Sequence, residues 1–199
     1  MLTEKYQVIY ADPPWRFSSS IPSSRRREDG TLEFTTMSLE DNHYPTMSPD
    51  ELREFFSSEV SSVADDDSVL LMWTTDAHLP LAIELGTLAG FSYRTIGFIW
   101  NKKTSKGNQV AFMGRWTVKG SEICLLFTKG SPHKKLLKSR KVRQLIEAER
   151  REHSRKPAET ITRIETMFPD TRKLQLFARS SPPGWDVWGN ETEKFASEA

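Results

Sequence analysis

Asp12, Pro13, Pro14 and Trp15 stand together directly after a short β-rich run, QVIYA, from Gln7 to Ala11. A strand that ends on such a tetrapeptide carries it into the region beyond the sheet edge where ligands bind in α/β folds. Two consecutive prolines have fixed φ and no N–H donors, so the turn is stiff and its carbonyls are left to accept hydrogen bonds. An acceptor-rich turn beside an aromatic plane suits a heterocycle that bears an amino group. The exocyclic amine of adenine is a poor nucleophile, because its lone pair is delocalised into the ring. If the Asp12 carboxylate and the Pro13 carbonyl accept its two hydrogens, they favour the pyramidal nitrogen that forms as it attacks a sulfonium methyl group. Trp15 would stack on the base, a contact worth roughly 1–3 kcal/mol in nucleic-acid binders. A duplex substrate would first have to flip its base out, a cost that a single strand largely avoids. The same four residues can also be no more than a turn, since Asp before Pro is a common turn starter.

The elements around this turn alternate between strand-like and helix-like segments. SVLLMWTT (Ser68 to Thr75) is a continuous apolar run of strand length, the pattern of a parallel strand covered on both faces. SYRTIGFIW and SEICLLF read as two further strands, and KLQLFA (Lys173 to Ala178) as the last clear one. Helices are expected from Ser48, with Pro49 in the first helical position and Asp50 and Glu51 in the first turn. Two more are expected, over LPLAIELGTLAG, ended by Gly90, and over PAETITRIETMF, stopped by Pro169. The alternation predicts a doubly wound α/β fold with a largely parallel sheet. Two turns then become the places to search: DPPW after QVIYA, and ARSSPPGW after KLQLFA. Ser18 to Asn42 is polar with few apolar anchors and reads as a long mobile loop. Residues 1–191 are expected to form one domain, with 192–199 a frayed tail.

With 199 residues, 37% of them hydrophobic and 28% charged, the chain is expected to bury a substantial core as one soluble domain. It has no run long enough to cross a bilayer and no signal-peptide layout at its start, so a cytoplasmic protein is expected. The single cysteine, Cys124, excludes an internal disulfide and a Cys-rich zinc site, and it reads as a small buried hydrophobe. The net charge is only +1, but basic residues cluster at Arg25, Arg26 and Arg27, at Lys102, Lys103 and Lys106, and from Lys134 to Arg143. Such clusters suit a phosphate-facing surface and equally an ordinary solvated one.

Seven pieces stand in order along the chain: YADPPW (10–15), YPTMS (44–48), LMWTT (71–75), GRWTVKGSEICLLFTKG (114–130), HSRKPAE (153–159), TRKLQLFAR (171–179) and GWDVWGNE (184–191). In this order they are similar to the MT-A70 family of adenine methyltransferases, which includes the eukaryotic messenger-RNA enzyme and short bacterial and phage members. The resemblance implies a Rossmann-like S-adenosylmethionine-dependent fold, with Asp12 to Trp15 as the catalytic turn and Tyr44 as a second aromatic near the base. It places Lys156 against the cofactor carboxylate or the substrate, and Arg179, Asn190 and Glu191 around the cofactor's ribose and adenine. Glu122 and Trp116 are implied near the active site, though a glutamate at a strand start and a tryptophan in a loop can both be structural. Arg25, Arg26 and Arg27 are expected to meet phosphates. The implied partner is nucleic acid, DNA rather than RNA, because the domain resembles the short members. The family resemblance also allows a homodimer, or a heterodimer with a related subunit.

Other classes fit less well. A cytosine carbon methyltransferase needs a nucleophilic Cys beside Pro, whereas Cys124 is flanked by Ile123 and Leu125. A nicotinamide dehydrogenase needs GxGxxG and a zinc deaminase needs paired Cys ligands, and neither pattern occurs. No metal is expected. Methylation of a protein glutamine amide is closer, although such turns usually begin with Asn and end with Tyr. A non-catalytic partner subunit of the same fold is the other alternative.

Overall fold

The computed structural model describes residues 4–16, 46–114, 116–151, 155–179 and 181–189, and the backbone course alone of 21–26 and 32–37. The chain enters the sheet with β1 (Tyr6–Ala11) and leaves it for an antiparallel ribbon, β2 (Ile21–Arg26) with β3 (Leu32–Met37). It returns in β4 (Ala64–Thr74) and β5 (Ser92–Lys103), forms a small hairpin of β6 (Phe112–Met113) and β7 (Val118–Lys119), and re-enters with β8 (Ser121–Lys129). β9 (Leu145–Glu149), β10 (Lys173–Leu176) and β11 (Asp186–Trp188) complete a seven-stranded sheet in the order β11-β10-β1-β4-β8-β5-β9.

The sheet is largely parallel, as expected: β11, β10, β1 and β4 run parallel in sequence of neighbours, and β9 pairs parallel with β5. β8 is the exception, antiparallel to both β4 and β5. β1 and β10 lie side by side, yet the chain goes from β1 to β4 on one side of the pair and from β10 to β11 on the other. The following segments therefore diverge and leave a crevice beyond the carboxyl ends of these two strands. Asp12 follows β1 and Arg179 follows β10, so both motifs lie at that crevice.

Strand alternation sorts side chains onto two faces. Ile9, Ala11, Leu70, Met72, Leu125, Phe127, Leu174 and Leu176 face one core. It is covered by α1 (Pro49–Phe55), a π-turn over Phe56–Val60, α2 (Ser61–Val63) and α3 (Leu79–Leu88). Val8, Tyr10, Leu71, Trp73, Cys124, Phe98, Trp100 and Ile146 face the other, packed by Ile164 and Phe168 at α5 (Glu159–Met167). A short α4 (Pro132–Lys135) lies between β8 and β9. Helix α1 starts where expected: the Glu51 N–H donates to Ser48 Oγ at 3.3 Å and the Ser48 N–H donates to Glu51 Oε2 at 2.7 Å, closing a reciprocal cap. In α3, Gly86 lies so close to the Phe127 ring that a Cβ there would be 2.3 Å from it, which sets the helix tight on the sheet.

Three features differ from the expectations. The stretch from Ser18 to Asn42 contains the β2–β3 ribbon, because an antiparallel pair can form from local backbone pairing without apolar anchors. β9 is not apparent in the sequence: in LIEAE only Ile146 is fully buried, so the strand reads as polar. The apolar run of β8 matches that of a parallel strand, since burial on both faces is what the pattern reports and direction is not.

Candidate active site

The turn after β1 is held from both sides. Trp15 N–H donates to the Pro13 carbonyl at 2.9 Å, and Met47 N–H donates to the Pro14 carbonyl at 3.0 Å, so each proline carbonyl already has one donor and keeps a second lone pair. The Asp12 carboxylate meets the Lys156 ammonium at 2.8 Å on either oxygen. Lys156 comes from the segment before α5, so the contact ties the first turn to an element 144 residues later. The sequence groups Asp12 with Lys156 only through the family resemblance; the fold brings them into direct contact.

Lys156 also meets Glu122 at 3.2 Å, and Glu122 meets Lys102 at 2.5 Å. Lys102, Glu122, Lys156 and Asp12 thus form a chain of alternating charge, and the first three side chains are only 12%, 10% and 10% exposed. Burial by itself would raise the Glu122 carboxyl, but the Lys156 and Lys102 ammonium groups outweigh it and hold it below the usual carboxylate range. Burial would likewise lower the Lys156 ammonium, yet Asp12 and Glu122 reverse that and raise it above the ordinary lysine value. The Lys156 ammonium lies 5.9 Å over the Trp73 ring, and Trp73 Nε1–H donates to Tyr10 Oη at 2.7 Å, so the floor under the network is aromatic and hydrogen-bonded. The sequence groups Lys102 with phosphate-facing lysines; its ammonium instead turns inward, and Lys103 pairs with Glu147.

Trp15 takes a different place from the one its chemistry suggests. Its ring is 6% exposed, stacked on His78 with centroids 5.1 Å apart, and its Nε1–H donates to the Trp73 carbonyl at 3.3 Å. The indole is a buried anchor for the turn and does not present itself to a base, because a large apolar ring beside a stiff turn is stabilised more by packing than by exposure. His78 completes the clamp: its Nε2 lies 3.0 Å from the Arg16 carbonyl, so this nitrogen carries a proton, and Nδ1 meets Thr75 Oγ1 at 2.9 Å. Sequence reasoning assigns no role to His78, Tyr10 or Trp73, although Tyr10 and Trp73 stand inside the family-like pieces YADPPW and LMWTT and His78 follows the second.

The second turn lies against the end of β11. Ala178 N–H donates to the Trp188 carbonyl at 3.0 Å, and a Cβ at Gly189 would come within 2.6 Å of Ala178 N. Only glycine allows that approach, and it puts the residue preceding Asn190 beside the one preceding Arg179. Asn190, Glu191, Tyr44 and Arg27 lie outside the described residues, as do the side chains of Arg25 and Arg26 on β2. Trp116 sits between β6 and β7 and is 91% exposed, and Met113 at the end of β6 is 90% exposed. The hairpin rises from the site: Lys102 N–H donates to the Gly120 carbonyl and Val110 N–H to the Lys102 carbonyl, both at 2.9 Å, and Lys119 meets Asp76 at 2.5 Å. Cys124 is buried in the core and burial pushes its thiol well up, in keeping with a hydrophobe. Among the described residues no three His, Cys, Asp or Glu side chains gather as a metal site, and no helix is long and apolar enough to cross a membrane.

Known proteins are similar to this chain over nearly its whole length. Type II methyltransferase M.MunI of Mycoplasma sp is 38% identical over 195 residues, covering 94% of this chain and 78% of that protein. The N(6)-adenosine-methyltransferase catalytic subunit METTL3 of Homo sapiens is 30% identical over 194 residues, covering 95% of this chain but 28% of that protein. A probable N(6)-adenosine-methyltransferase MT-A70-like protein of Oryza sativa subsp. japonica is 32% identical over 193 residues, 94% of this chain and 23% of its own length. The MT-A70 family matches residues 6–191, a span that takes in both turns and all seven strands of the sheet. The chain belongs to the MT-A70 family of adenine methyltransferases.

Proposed function

We propose that the chain is an S-adenosylmethionine-dependent methyltransferase acting on the N6 amine of adenine in nucleic acid, with DNA as the favoured substrate and the cytoplasm as its place of work. The observation that carries this reading is the Asp12 carboxylate, held by buried Lys156 at the point where the chains leaving β1 and β10 diverge. The preference for DNA is supported by the greater likeness to the Mycoplasma type II methyltransferase, 38% identical against 30% for the human adenosine methyltransferase subunit.

The donor set fits the cofactor. An ammonium (Lys156) and a carboxylate (Asp12) stand side by side, complementary to the carboxylate and ammonium of an amino-acid moiety. Arg179, Asn190 and Glu191 would hold its nucleoside end. When bound, it supplies a methyl group already activated on a sulfonium. Asp12 and the second lone pair of the Pro13 carbonyl accept the amine hydrogens and orient the nitrogen lone pair. As nitrogen gains the methyl group it carries one proton too many, and the Asp12 carboxylate takes that proton and passes it to water. Lys156 and Glu122 hold Asp12 in register, and the Trp15–His78 stack keeps the turn from moving. Tyr44 and exposed Trp116 are the aromatic groups proposed to receive the base, with Arg25, Arg26 and Arg27 on phosphates.

The test is transfer of labelled methyl groups to matched DNA and RNA pools, single- and double-stranded, with the product nucleoside identified. N6-methyladenine in DNA is expected, undiminished by a chelator because the sulfonium needs no Lewis acid. Asp12→Ala should keep the fold and lower turnover by about 10²–10⁴-fold, the range for a positioned proton acceptor. Near-normal turnover in this variant would remove the turn from the catalytic centre.

A further inference from the structure

Asp12 is useful to an incoming amine only if its carboxylate stays where the turn aims it, and the ammonium that holds it is shared. Lys156 lies 2.8 Å from Asp12 and 3.2 Å from Glu122, while Glu122 lies 2.5 Å from Lys102. The distances rank the contacts: Glu122 is closest to Lys102, and Lys156 is closer to Asp12 than to Glu122. We infer that Lys102 is a positioning residue for the reaction, acting through Glu122: it neutralises Glu122 from the far side, so that the Lys156 ammonium stays on Asp12. This rests on the reading of Asp12 given above.

Charge balance and burial argue for it. The four-membered chain sums to zero with Lys102 present. Without Lys102 a single ammonium stands between two carboxylates, in a pocket where Glu122 and Lys156 are each 10% exposed and water compensates little. Glu122 then draws Lys156, and the hold on Asp12 loosens. Lys102 is built to stay in place. Its backbone N–H and carbonyl are both bonded at the foot of the β6–β7 hairpin, its ammonium lies 4.9 Å from the Trp100 ring centroid, and its side chain is 12% exposed. Register supports the same geometry, since Trp100 pairs with Glu122 across β5 and β8, and Lys102 follows Trp100 by two residues on the same face of the strand.

The test compares Lys102→Met, Glu122→Gln and the double variant. Lys102→Met is expected to lower kcat roughly 10–100-fold, the range for removing a group that orients a catalytic ligand. The KM for the oligonucleotide should change less than about threefold, because the contact does not reach the substrate. In the Glu122→Gln background the same substitution should cost less than about twofold, because the anion it answers is gone. An undiminished kcat in Lys102→Met, or an equal loss in both backgrounds, would overturn the inference. A second readout does not depend on activity. In protein carrying ¹³C-labelled glutamate, the Glu122 carboxyl, identified by its loss in Glu122→Gln, should titrate at higher pH in Lys102→Met. An unchanged midpoint would also overturn it. Should the wild-type chain methylate no adenine, the proposed function fails by itself, and the carboxyl titration still decides the coupling. If Lys102→Met does not fold, Lys102→Gln, which keeps a donor toward Glu122 without its charge, is read in the same way.

Discussion

Glu122 meets two of the ammonium groups at the site, those of Lys102 and Lys156. It is a buried carboxylate stabilised by two ammonium groups, and removing its charge has a signed consequence for pH. Its folded-state carboxyl is held below the usual range, so its contribution is present above the unfolded value of about 4.3 and is lost as pH falls through the folded value. Lys156 is raised, so its contribution is full below about 10.4 and is lost only as pH rises past that. The network is therefore at full strength across neutral pH and fails first on the acid side. Urea midpoints measured from acid to neutral pH should fall on acidification for the wild type and fall less steeply for Glu122→Gln. Parallel curves for the two proteins would mean that Glu122 is not stabilised as a carboxylate by its neighbours.

Two aromatic residues in elements flanking the site show how little residue type says about use. Trp15 belongs to a turn pinned to β4 by its indole N–H and to His78 by stacking, whereas Trp116 caps a two-stranded hairpin and stands exposed. The hairpin is shaped by glycine, since a Cβ at Gly114 would lie 2.4 Å from the Thr117 carbonyl and one at Gly120 would lie 2.2 Å from that of Val110. Trp15→Ala should cost about 3–5 kcal/mol of stability, as expected for emptying a buried aromatic site. Trp116→Ala should leave stability within about 0.5 kcal/mol of wild type. It should instead weaken oligonucleotide binding by about 1–3 kcal/mol, the value of one stacked base. Chemical denaturation and fluorescence anisotropy separate these outcomes. Unaltered binding in Trp116→Ala would take the hairpin tip out of the nucleic-acid surface.

At the level of the whole molecule, a net charge of +1 means that any nucleic-acid surface must come from local clustering. Several lysines that the sequence suggests for it are occupied otherwise: Lys102 with Glu122, Lys103 with Glu147, and Lys135 with Asp67. The arginine triplet, whose first two members end β2, remains a candidate beside Lys106 and the basic residues from Lys138 to Arg143. Replacing Arg25, Arg26 and Arg27 by alanine should weaken binding to all sequences. It should also flatten the slope of log affinity against log salt by up to about 2.7 on duplex DNA, near 0.9 for each phosphate that is no longer neutralised. A titration series from low to moderate salt checks this, and an unchanged slope would place the ribbon away from the backbone.

From the order of residues alone came the α/β class, five of the strands of the main sheet, the three main helices and the two turns that face the crevice. Those features are local: apolar runs, caps and prolines act over a few residues, and a turn that follows a strand inherits its address from the sheet. The direction of β8, the strand character of LIEAE and the inward turn of Lys102 were decided by tertiary structure. Burial patterns report how much of a strand is covered but not which way its neighbour runs, and an edge strand with one buried side chain looks like a polar segment. The resemblance brought Asp12, Glu122 and Lys156 to one site, but the pairing of their charges and the place of Lys102 among them could not be read along the chain. Their partners come from four separate segments, and a lysine has the same letter whether it faces solvent or completes a buried ion pair.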